Sequence, residues 1–138
     1  MAGEYVVHEQ EDTLGEGESE SQILAEDVEV ADSALSQMRG LMFRSEIPEA
    51  LVMEVGGGFS LTGGPPRQFV HMLFVSHALD VIWLADDEVR KIARMHPWRS
   101  VGMAKADRIL ELPAGAAESV EVGDTVRVVD EGEAEDPQ

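Results

Sequence analysis

The chain has 138 residues, the length of a single domain, and 43% of them are hydrophobic, which is enough to build a core. Its net charge of −18 at pH 7 leaves no basic excess for nucleic acid or an anionic membrane. It has no cysteine, which excludes disulfides, thiolate catalysis and cysteine-type zinc sites. The acidic N-terminus lacks the apolar core of a signal peptide, so we expect a cytoplasmic protein.

The acidic residues are concentrated at the two ends of the chain. Residues 1–21 contain seven acids and no Lys or Arg, and residues 130–138 contain five acids. Segments with many like charges and few apolar groups rarely offset the entropy lost on ordering. We therefore predict disordered acidic tails over 1–21 and 130–138, and a single β-rich globular domain over 22–129.

The basic residues also have an unusual composition. Only two of the ten are lysine, and acids outnumber bases 28 to 10. A dense acidic surface repels itself in dilute solution, and molar salt shortens the Debye length to about 3 Å. This composition favours adaptation to concentrated salt, and an ordinary acidic protein is the alternative.

Short strands are the main predicted elements between the tails. Asp32 and Ser33 suit the start of a helix over 34–43, and Gly40 inside it suggests close backbone packing. Pro113 suits the first position of a helical turn over 113–118. These features predict an α+β class, with a β-rich compact domain made of a small curled sheet or barrel and one or two short helices. The predicted strands are 23–31, 51–55, 69–75, 79–84, 88–95, 108–112 and 125–129.

Three segments in this order resemble a known family. They are EVADSALSQMRGLMFR at 29–44, HMLFVSHALDVIWL at 71–84 and ILELPAGAAE at 109–118. Together they are similar to the uncharacterised family catalogued as domain of unknown function 192, here as a salt-adapted, haloarchaeal-like member. The resemblance implies a compact β-rich domain and implies no activity. Bacterial members often carry an aromatic-Met-Lys-Asn-Thr run before the aspartate, of which this chain matches Met72 and Asp80.

A cluster of bases supplies the main functional hypothesis. Six of the ten bases lie between Arg90 and Arg108. Guanidinium groups bind planar anions through paired hydrogen bonds, so convergence of these side chains would form a site for a small carboxylate or phosphate, or for an acidic peptide. The alternative is a set of surface arginines paired with nearby acids. The candidate ligand-binding residues are Arg90, Arg94, His96, Trp98, Arg99, Arg108 and Asp80.

Asp80 and the histidines are candidates for other chemistry. Asp80 either serves a site or accepts hydrogen bonds from backbone N–H groups. His71 and His77 share a predicted strand face but lie too far apart to bind one ion, so we predict no metal and no cofactor. We expect a small non-enzymatic domain that binds a ligand or a protein partner. The alternative is an enzyme acting on a small anionic substrate, with Asp80 and a histidine as acid and base.

Overall fold

Ten β-strands form the framework of the protein, as seen in a computed structural model that describes residues 4–10, 20–31, 40–55 and 64–130. Within these ranges no residue is helical. The strands are β1 (Glu4–Gln10), β2 (Glu20–Ala25), β3 (Val28–Ala31), β4 (Ala50–Glu54), β5 (Arg67–His71), β6 (Leu79–Ala85), β7 (Glu88–Met95), β8 (Val101–Lys105), β9 (Arg108–Pro113) and β10 (Thr125–Asp130).

Eight of the strands form one sheet in the order β2-β1-β10-β7-β6-β9-β4-β3. Neighbouring strands are antiparallel except β3 and β4, which run parallel. Strand β6 lies between β7 and β9, and all seven of its residues are buried. A strand buried on both faces carries a continuous apolar run, which explains the sequence Val81-Ile82-Trp83-Leu84.

Side chains of this sheet alternate between two hydrophobic cores. On β6, Val81 and Trp83 belong to the first core, whereas Ile82 and Leu84 belong to the second. Strands β4 and β9 divide their residues in the same way, as expected from the two-residue period of a strand. The sheet therefore has two buried faces, and a charged side chain on either face needs an explanation.

The antiparallel strands β5 and β8 form a separate two-stranded ribbon over the first core. Trp83 lies beneath this ribbon, and its indole Nε1–H donates to the carbonyl of Gln68 at 3.0 Å. A Cβ atom at Gly102 would lie 2.8 Å from Cη2 of Trp83. Glycine therefore allows β8 to lie directly on the indole ring.

The predicted N-terminal tail contains a strand. Strand β1 pairs along its length with β10, buries Val6 and Val7, and brings Glu9 to Arg127 in an ion pair. The prediction of disorder over 1–21 is therefore wrong for residues 4–10 and 20–21. Pairing with β10 supplies the burial and the countercharge that composition alone did not reveal. Residues 11–19, and the tail after Asp130, lie outside the described residues.

The predicted β-rich class is confirmed, but its helical part is not. Most of the predicted helix over 34–43 lies outside the described residues, and its described end, 40–43, is a turn. Gly40 there has a φ of 50°, a left-handed conformation that glycine adopts at little cost. Residues 114–119, where a helical turn was predicted, form a run of turns.

In the described part of the chain, no helix is long and apolar enough to cross a membrane.

Candidate functional site

A cavity of about 360 Å³ lies on the first-core side of the large sheet. Its walls come from the turn at 40–42, from β4, β5 and β9, and from the segment before β6. Most lining side chains are aliphatic, as in typical ligand pockets. The lining residues are Gly40, Leu41, Met42, Met53, Val55, Gln68, Phe69, Val70, His71, Val75, Leu79, Ile109 and Glu111.

Glu111 is the acidic residue in this lining. It lies on β9, opposite Leu51 of β4 and Val81 of β6, and only 6% of its surface is exposed. Among the described residues, no group donates a hydrogen bond to its carboxylate. Burial raises the pKa of Glu111 to about 7, and the positive charge of Arg44 opposes part of that rise. The carboxyl group therefore changes protonation state near neutral pH.

Arg44 supplies the positive charge near Glu111. Its two terminal nitrogens donate to the Glu29 carboxylate at 2.8 and 2.5 Å. Its Nε atom is buried and has no hydrogen-bond partner in the described structure. The hydrogen bond to Glu29 raises the pKa of Arg44, so this group stays charged. The Arg44 guanidinium thus pairs with Glu29 and, among the described residues, forms no ion pair with Glu111.

Asp80 lies on the opposite face of the sheet, and both of its carboxylate oxygens accept hydrogen bonds. One carboxylate oxygen accepts from Nε of Arg94 at 2.5 Å. The other accepts from the backbone N–H groups of Gly115 and Ala117 at 2.9 and 3.0 Å. Asp80 therefore joins β6, β7 and the turns after β9. Its contacts are those of a structural group and include no histidine.

Three of the predicted arginines form ion pairs with acids in the described structure. Arg90 pairs with Glu88 at 3.3 Å, Arg94 pairs with Asp80, and Arg108 pairs with Glu54 at 2.6 Å and with Asp87 at 3.1 Å. Each of these arginines therefore has a carboxylate partner of its own.

The remaining predicted residues lie in the turn between β7 and β8. Trp98 and Arg99 are exposed, and the His96 backbone N–H donates to Oγ of Ser100 at 2.8 Å. Trp98 contacts an aromatic neighbour instead of an anion site: its ring meets Phe74 edge-on at 5.2 Å, and Phe74 stacks on Phe43 at 4.8 Å. In the described residues, no group of three or more His, Asp or Glu side chains is placed to bind a metal ion.

Sequence analysis did not identify two features of this region: Glu111, and an aromatic cluster formed by Phe43, Phe74 and Trp98. Glu111 interrupts the apolar run Ile-Leu-Glu-Leu, and a charge inside a buried strand is a signal that sequence reading can detect. The aromatic cluster has no comparable signal. Phe43, Phe74 and Trp98 all have positive φ, with values of 64°, 62° and 72°, which is uncommon for residues with large side chains.

Comparison with known proteins gives the family of the chain. The model of one protein family, DUF192, described as Uncharacterized ACR, matches residues 16–128. The chain belongs to the DUF192 family. Among proteins with curated functions, none matches.

Two solved structures share the fold. A protein from Sinorhizobium meliloti 1021, described as a candidate transcription regulator, has 19% identity and a TM-score of 0.67, over 91% of this chain and 93% of that one. A protein of unknown function from Novosphingobium aromaticivorans DSM 12444 has 22% identity and a TM-score of 0.64, over 88% and 83%. At these identities the similarity shows the fold alone.

The three segments that resemble DUF192 meet at the cavity. Segment 29–44 supplies the turn at 40–42, segment 71–84 supplies His71, Val75 and Leu79, and segment 109–118 supplies Ile109 and Glu111. Segments far apart in the chain thus converge on one space beside Glu111.

Proposed function

We propose that the protein binds a small molecule in the Glu111 cavity without catalysis. The observation that carries this proposal is a largely buried carboxyl group in the wall of a mostly apolar cavity, to which no described residue donates a hydrogen bond. Buried polar groups are normally hydrogen-bonded, because leaving one unpaired costs about 1–3 kcal/mol. A ligand that donates a hydrogen bond to Glu111 would remove that cost.

The charge of the site selects the ligand class. An ionised Glu111 repels an anion, whereas an amine replaces the proton and forms a charge-assisted hydrogen bond. The proposed ligand therefore has an apolar body and a single amine or other strong donor. This class differs from the small carboxylate or phosphate predicted from the sequence, because Arg90, Arg94 and Arg108 are paired with acids.

Matched probes test the ligand class. We would titrate the full chain with hexylamine and phenethylamine, and with hexanoate and phenylpropanoate, which keep the apolar body and reverse the charge. Backbone NMR shifts at Gly40, Val55 and Val70 report on the cavity wall. We expect the amines to shift these signals saturably and the carboxylates to leave them unchanged.

Two variants locate the site. Glu111→Gln keeps the shape of the side chain and removes its charge, so we expect amine affinity to fall about tenfold or more. Glu121→Gln changes an exposed acid outside the cavity lining and should bind as the wild type does. Carboxylates that bind as tightly as amines, or amines that bind Glu111→Gln unchanged, would contradict the proposal. Failure of every probe to shift the cavity signals would contradict it too.

We also propose that the protein works in the cytoplasm of a cell rich in salt. The support is the composition: a net charge of −18 with only two lysines. In such a solution long-range attraction is screened within a few ångströms, so recognition must rely on contact geometry. A buried carboxyl inside an apolar cavity provides that kind of contact.

A further inference from the structure

The outer face of the β5–β8 ribbon is apolar at its centre. Phe69 and Met103 face each other across the two strands, with 60% and 48% of their surfaces exposed. The next pair on the same face of the ribbon is His71 and Val101, and Val101 is 65% exposed. Exposed apolar residues that adjoin one another on a small sheet commonly mark an interaction surface.

The described bases that form no ion pair with an acid lie around this ribbon. The described residues include nine bases, of which Arg44, Arg90, Arg94, Arg108 and Arg127 form ion pairs with acids, and four do not. Those four are placed at both ends and along one side of the ribbon. They are Arg67 and Lys105, which face each other at one end, Lys91, whose Nζ donates to the Met103 carbonyl at 3.3 Å, and Arg99, which lies two residues before β8.

The aromatic cluster lies at the other end of the ribbon. Phe74 follows β5 and Trp98 precedes β8, and their segments are joined because Trp98 N–H donates to the Met72 carbonyl at 2.9 Å. Phe43 is 71% exposed and is held there by a 2.8 Å hydrogen bond from its N–H to the Phe74 carbonyl. All three aromatic residues have left-handed backbone, which is uncommon for residues with large side chains.

We propose that this face binds an acidic segment of a partner protein. Apolar side chains of the partner would contact Phe69 and Met103, and its carboxylates would pair with the four free bases. Charge complementarity supports this partner, because a chain of net charge −18 leaves its bases unpaired only around this surface, within the described residues. The same net charge opposes a second copy of the chain. Phe69 and His71 also line the cavity, but the proposal requires neither Glu111 nor a ligand bound there.

Peptide selection tests the partner class directly. A phage library of random peptides would be selected on the full chain, and in parallel on the double variant Arg67→Glu, Lys105→Glu. We expect wild-type selection to enrich peptides in which acids flank apolar residues, and we expect the double variant to lose that enrichment. Arg90→Glu reverses an exposed charge that lies outside the ribbon and should retain the enrichment.

Affinities of an enriched peptide give the second readout. We expect binding about tenfold weaker in Phe69→Ser and in the double variant, with melting temperatures close to the wild type because these side chains are exposed. Absence of enrichment, enrichment without acids, or equal affinity in the double variant would overturn the proposal. Binding of random single-stranded DNA that requires Arg67 would also overturn it, since the partner would then be a nucleic acid.

Discussion

Asp80 and Glu111 occupy neighbouring strands, one register position apart, and face opposite sides of the same sheet. Both are almost fully buried, with exposures of 3% and 6%. Asp80 accepts three hydrogen bonds from Arg94, Gly115 and Ala117, whereas Glu111 accepts none from the described residues.

The difference separates a structural carboxylate from a candidate functional one. A buried charge that is fully hydrogen-bonded holds elements together and has little hydrogen-bonding capacity left for a ligand. A buried carboxyl group with an unpaired oxygen beside a cavity has the pKa and the access that a binding site needs. Burial alone does not distinguish the two; hydrogen-bond partners do.

The largest effect is expected for Asp80→Ala. The substitution removes a charged acceptor and leaves two backbone N–H groups after β9 without a partner, at a cost of about 3 kcal/mol in the free energy of unfolding. Urea denaturation at neutral pH measures this. Arg94→Met, which removes the half-exposed partner alone, should cost less. Equal stability of Asp80→Ala and wild type would contradict the structural role.

Glu111→Gln should change how stability depends on pH. The pKa of Glu111 is raised from 4.5 to about 7, so below pH 4.5 the group is protonated in both states. Between these values the unfolded chain releases a proton that the folded chain keeps, so the contribution of Glu111 to the free energy of unfolding falls as pH rises, by about 3 kcal/mol in total. Glu111→Gln has no carboxyl group to ionise at this position. Its free energy of unfolding should therefore rise relative to that of the wild type as pH increases from 4.5 to about 7. Parallel curves for the two proteins would show that Glu111 does not titrate as proposed.

Gly102→Ala tests the packing that holds the ribbon over the first core. A Cβ atom 2.8 Å from the Trp83 ring forces the ribbon or the ring to move, at about 1–3 kcal/mol. Thermal denaturation followed by tryptophan fluorescence reports both the stability and the environment of the indole. Met103→Ala changes the exposed face of the same strand and should melt close to the wild type. A Gly102→Ala protein as stable as the wild type would show that β8 is not packed closely on Trp83.

The smallest effect is expected from salt. Because acids outnumber bases by 18, screening should raise the melting temperature as KCl increases from dilute to molar concentrations. Calorimetric scans across that range measure the effect. A constant melting temperature would contradict salt adaptation.

Local sequence signals, such as alternation, a continuous apolar run or a turn, were sufficient to predict most strands of the eight-stranded sheet. Val28 and Val30, the apolar run of β6 and the Asp86-Asp87 turn into β7 all carry local signals. Strands β1 and β8 do not. Strand β1 is acidic and depends on β10 for burial, and β8 contains Gly102 and directs its larger side chains outward.

The site was harder to predict, because its parts depend on contacts between distant residues. The clustering of bases along 90–108 is a property of the sequence, but their partners Glu54 and Asp80 come from other strands. The resemblance of three segments to one family was informative, and those segments meet at the cavity. Which of the two buried carboxylates lacks hydrogen bonds is decided by three-dimensional contacts and not by spacing.

The protonation of Glu111 tests the central claim most directly. The side-chain carboxyl carbon of Glu111 can be followed by ¹³C NMR in the full chain and assigned by its absence in Glu111→Gln. We predict a titration midpoint near pH 7, well above the ordinary value of 4.5, because the group is buried without a donor. A midpoint near 4.5 would mean that the carboxylate is solvated or hydrogen-bonded, and the cavity would then have no unpaired acid with which to bind a ligand.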